Sequence, residues 1–140
     1  MHPETTIHIP DLRTDLLFSQ FHRENESVRR TLAFLIEEDI ILKAGISEVL
    51  KNMNPTDEGI LKRLEHFHNR LLKENDTVRT LRAEVADMDK QLDRNFCIDK
   101  DLSNSIRPQQ QLFRKKIKIV ELEFLKLKFD FNEYVEEILQ

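Results

Sequence analysis

From Val28 onward an apolar side chain returns alternately four and three residues later: Val28, Leu32, Leu35, Leu42, Ile46, Val49 and Met53, with Asp39 in the one polar slot. A helix turns every 3.6 residues, so this rhythm lays one greasy stripe along one side of a helix. A strand would need alternation every second residue. Phe18 and Phe21 carry the stripe toward the N-terminus. The rhythm recurs through Ile60, Leu64, Phe67, Leu71, Val78, Leu81, Val85, Met88 and Leu92, with Glu74 in the polar slot. It recurs again through Phe113, Ile117, Val120, Phe124, Leu127, Phe131, Tyr134 and Ile138. Three such heptad seams predict three long helices that bury their stripes against one another.

Little interrupts them. The chain of 140 residues holds only two glycines, Gly45 and Gly59, and four prolines, too few turn formers for a many-stranded fold. Helices are expected at about 11–53, 55–95 and 108–139, in a single domain over 10–140 behind a disordered tail at 1–9. Asp11, Asn54 and Ser105 are candidate caps, and Pro55 and Pro108 suit first helical positions. The break at Asn52–Asp57 is short, which makes its flanking helices antiparallel neighbours. Residues 96–107 have no clean period and form the second connection. The expected fold is all-α: an elongated antiparallel three-helix bundle with coiled-coil-like heptad packing. From Lys116 to Phe131 apolar and charged residues also alternate as in a strand, but the alternation slips at Ile119-Val120 and Phe124-Leu125 and outruns a typical strand.

Charge narrows the partners. Charged residues make up 34% of the chain and the net charge is −4, with both signs interspersed. The basic run Arg114, Lys115, Lys116, Lys118 is followed by Glu121, Glu123, Asp130 and Glu133, so no clustered basic surface favours nucleic acid. Cys97 is the only cysteine. No intrachain disulfide can form, which fits a reducing compartment. No apolar run approaches the ~20 residues of a membrane span, and Met1-His2-Pro3-Glu4 lacks the pattern of a signal peptide. The expected setting is cytoplasmic, with no membrane.

No glycine-rich phosphate loop, nucleophile elbow or paired-cysteine site is present, so no enzyme activity, metal or cofactor is expected. Two features remain. Ile119, Leu122, Leu125 and Phe129 lie off the third seam, roughly opposite it, and Phe34 and Ile41 lie off the first. A bundle buries one face per helix, so these six residues predict an interface with another protein, either a second copy in a homodimer or a helical partner. The other feature is polar. Asp39 occupies a core slot, and folding about Asn54 would bring it level with His68, with Tyr134 and Glu133 near by. A buried Asp39–His68 or Asp39–Arg70 pair would fix helix register; a metal or small-ligand site on the same residues is the sharper alternative. Asn25 and Glu74 fill the other polar slots and suit the same register role.

The run Leu64-Glu65-His66-Phe67-His68-Asn69-Arg70-Leu71, with Glu48-Val49-Leu50 and Phe131-Asn132-Glu133-Tyr134, resembles segments of uncharacterised small all-helical bacterial proteins of the long helical-hairpin type. The resemblance implies the three-helix layout and a bacterial cytoplasmic setting. It carries no activity and no functional residue.

Overall fold

The computed structural model describes residues 3–52, 57–95 and 102–140, and side chains at 16–52, 57–94 and 106–140. They form three helices: α1 (Pro3–Asn52), α2 (Glu58–Asn95) and α3 (Leu102–Leu139). No strand occurs among the described residues, so the alternation over 116–131 is helical. Met53, Asn54, Pro55 and Cys97 lie outside the described residues, as do the side chains of Asp11 and Ser105.

The helix starts differ from the expected ones. α1 begins at Pro3, so residues 3–9 are its first turns and not a tail. Proline is at home at a first helical position, where its missing N–H costs nothing. α2 begins at Glu58, and Asp57 caps it. The Asp57 Oδ1 accepts from the Gly59 and Ile60 amides at 3.0 and 3.2 Å, and the Asp57 carbonyl accepts from Leu61 at 3.1 Å. That satisfies two of the four amides a helix start leaves open. α3 begins at Leu102 and runs through Pro108, which has no N–H to give the carbonyl four residues back. Ile106 offsets that loss: it is buried against Phe21 and Leu92, with Leu17 and Phe18 packed alongside.

The predicted stripes are the core. Val28, Leu32, Leu35, Leu42 and Ile46 of α1 pack with Leu64, Phe67, Leu71, Val78, Leu81 and Val85 of α2, and with Phe113 through Phe131 of α3 at the expected spacing. Phe67 is 1% exposed; it meets Phe131 edge-on at 5.4 Å and Tyr134 at 5.6 Å. The guanidinium groups of Arg63 and Arg70 lie 5.4 and 5.9 Å from its ring centre. Such ring and cation contacts add to the burial of the ring itself.

Polar contacts give the alignment of the helices. His22 meets Asp93 and Asn25 meets Asp89, both at 2.8 Å, so partner numbers fall along α2 as they rise along α1. Glu24 meets Gln110 and Glu38 meets Lys128, both at 3.1 Å, so numbers rise together along α1 and α3. Arg70 meets Asp130 at 3.0 Å and Glu84 meets Lys116 at 3.4 Å, falling again between α2 and α3. The α1–α2 pairs centre the fold-back near Asp57 and not Asn54.

Candidate functional site

Among the described residues four polar side chains are buried in the stripes: Asn25, Asp39, Glu74 and Gln110. They fall into two layers of opposite character. In the first, Asn25 donates to Asp89, which also forms an ion pair with Arg29. His22 adds its contact with Asp93. Gln110 donates to Glu24, whose other oxygen lies 3.6 Å from Arg114. Amides, carboxylates and cations from all three helices meet there with their hydrogen bonds made, which favours one register.

The second layer is unsatisfied. Asp39 is 3% exposed, yet neither of its carboxylate oxygens has a hydrogen-bond partner among the described residues. Burial alone pushes its pKa up to about 6, because the charged form loses its water. It faces Glu74, which burial pushes up to about 7, helped by a hydrogen bond and repulsion from Glu123 and by repulsion from Asp39, against a smaller opposing pull from Arg70. Three acids from three helices therefore share one level of the bundle, and one Glu74 oxygen is also without a partner among the described residues.

This corrects the expected Asp39 neighbourhood. No hydrogen bond or ion pair among the described residues joins Asp39 to His68 or Arg70, and Arg70 is taken by Asp130. Tyr134 packs on Phe67, one heptad along α2 from Glu74, and Glu133 is exposed. The physical reason is the later fold-back, which slides α2 along α1 by about one heptad and exchanges His68 for Glu74 opposite Asp39. Among the described residues no group of three or more His, Cys, Asp or Glu could hold a metal ion.

The six off-stripe apolar residues all lie in water. Phe34 and Ile41 are 56% and 64% exposed; Ile119, Leu122, Leu125 and Phe129 are 54–63% exposed. The Glu38–Lys128 contact sets Ile41 and Phe129 at similar heights on adjacent helices. Leu112 and Leu139 extend the exposed set along α3, whereas α2 exposes a single large hydrophobic among the described residues, Leu72. Ile119 leans toward α2, where it lines a groove of about 510 Å³ with Lys73, Thr77, Thr80 and Glu123. Residue spacing alone does not single out Asp89. It could have found Gln110, because Ile106, Gln110, Phe113 continues the four-three rhythm and makes Gln110 a slot.

No known protein family matches the chain, and no curated protein or solved structure matches it. The three-helix bundle stands on its own geometry. No helix among the described residues is long and apolar enough to cross a membrane.

Proposed function

We propose that the chain is a non-enzymatic structural or protein–protein interaction module, an elongated antiparallel bundle with coiled-coil-like packing that self-associates through its second apolar stripe. Its expected setting is the cytoplasm, in keeping with a single cysteine. One observation carries the reading: large apolar side chains stand in water on the outer faces of α1 and α3, each more than half exposed at Phe34, Ile41, Leu122 and Phe129, while α2 is nearly free of them. Scattered surface leucines need no explanation, but a continuous stripe on one side marks a surface that another molecule covers. The opposite alignment of successive helices supports the packing part of the reading.

The alternative, a metal- or small-ligand-binding bundle centred on Asp39 and His68, has less support, because the group beside Asp39 is Glu74, itself bonded to Glu123, and not an imidazole.

Light scattering on the purified chain tests the proposal. The parent should exceed one chain mass at high concentration. The double variant Leu122→Lys, Phe129→Lys should return to one chain mass while keeping its helical circular dichroism. A parent that stays monomeric at high concentration overturns the reading, and so does a double variant that associates unchanged.

A further inference from the structure

The outer face of α3 carries a pattern that names its partner. Take the midpoint between Leu125 and Lys126 and count outward in both directions. Leu122 mirrors Phe129, Lys118 mirrors Glu133, and Lys115 mirrors Glu136. In these three pairs apolar mirrors apolar and base mirrors acid, and Leu125 and Lys126 flank the midpoint. Leu112 leans into a groove with α2 and Leu139 into one with α1, so both lie outside this seam. All four charged members are exposed, and none enters an ion pair among the described residues. The inner charges behave otherwise: Lys116 is held by Glu84, Lys128 by Glu38 and Asp130 by Arg70.

We propose that α3 is the twofold interface of a homodimer, in which the outer face of one copy lies against the same face of a second copy running the opposite way, with the axis near Leu125. This rests on the self-association proposed above and says which partner, which helix and which direction. An isologous interface uses one patch twice, so whatever lies above the axis must complement what lies below it. With the two α3 helices opposed, Lys115 and Lys118 of each copy come level with Glu136 and Glu133 of the other, and Leu122 comes level with Phe129. With the helices side by side in the same direction, lysine would face lysine and glutamate would face glutamate, which repel. The face is long enough. From Lys115 to Glu136 it spans ~32 Å at 1.5 Å per residue. Its exposed Leu122, Leu125 and Phe129 offer on the order of 100 Å² each, and the lysine stems cover more. Ile119, which leans into the α2 groove, falls opposite Asn132 and lies off this seam.

Charge reversal tests the pattern. One variant carries Lys115→Glu and Lys118→Glu; the other carries Glu133→Lys and Glu136→Lys. Each alone presents one sign at both ends of the seam, so each should associate roughly tenfold or more weakly than the parent at low salt. Mixed in equal amounts, they should form a heterodimer of near-parent affinity. Cysteine pairing in a Cys97→Ser background checks the geometry: Leu125→Cys should link to itself, and Lys115→Cys should link to Glu136→Cys but not to itself. If Leu122→Lys, Phe129→Lys abolishes association but the charge variants neither weaken alone nor recover on mixing, the twofold arrangement is wrong and the apolar surface stands. If the parent does not associate at all, both fall.

Discussion

Raising the pH from about 5 to about 8 should weaken this fold, the reverse of the usual behaviour of a chain held by paired carboxylates. The unfolded chain ionises Asp39 near 3.8 and Glu74 near 4.5; the folded chain does so near 6 and near 7. Between those values the folded state holds protons that the unfolded state has released. Stability therefore falls with pH across that window: these groups oppose folding least below about 4 and most above about 7. Each tenfold difference in proton affinity between the two states is worth ~1.4 kcal/mol, so Asp39 alone should cost about 3 kcal/mol once ionised. Glu74 adds a similar amount, less what the two share through their mutual repulsion, for a total on the order of 3–6 kcal/mol. Asp39→Leu completes the α1 stripe with an apolar residue. At pH ~8 it should gain about 3 kcal/mol, in line with apolar replacement of buried charge, and raise the melting temperature by roughly 10 °C; at pH ~5 the gain should be smaller. Urea unfolding followed by circular dichroism at fixed protein concentration measures both slopes. A parent whose stability is flat or rises over this range would refute the reasoning, and so would an Asp39→Leu variant as pH-sensitive as the parent or less stable at pH ~8.

Other perturbations have clear signs. Asp89→Ala strands Asn25 and Arg29 at a bundle end where both now bond to that carboxylate; urea unfolding should show a loss of about 1–3 kcal/mol. Asp57→Ala removes an oxygen that caps two amides of α2 and should lower stability by about 0.5–2 kcal/mol in the same assay. Phe67→Ala empties the most ring-crowded level of the core and should cost about 3–5 kcal/mol, read as a shifted denaturant midpoint.

Much of this architecture is legible in residue spacing, and what is not has a physical cause. The four-three series puts Leu32, Phe67 and Leu127 in the core, and each is 1% exposed. The off-stripe positions of Leu122 and Phe129 likewise mark them as outer residues. Register is not legible, because a heptad seam looks the same after a slip of one heptad, so only connection length and polar pairing distinguish the alternatives. Asp39 is legible as a buried acid, but opposing it with His68 or Glu74 depends on where α2 starts. That in turn depends on whether Asn54 or Asp57 caps it, and both residue types cap well. The start of α3 is hidden because Pro108 reads as a first position; the burial of Ile106 against Phe21, a contact distant in sequence, outweighs that local preference.

Everything proposed for this chain requires that the outer face of α3 does not stay in water. Sedimentation equilibrium of the parent chain over about three decades of concentration tests this most directly, since mass action must populate any self-complex as concentration rises. The weight-average mass should climb from one chain to two and then level off. A mass fixed at one chain throughout would contradict the homodimer, as would one that climbs past two without a plateau.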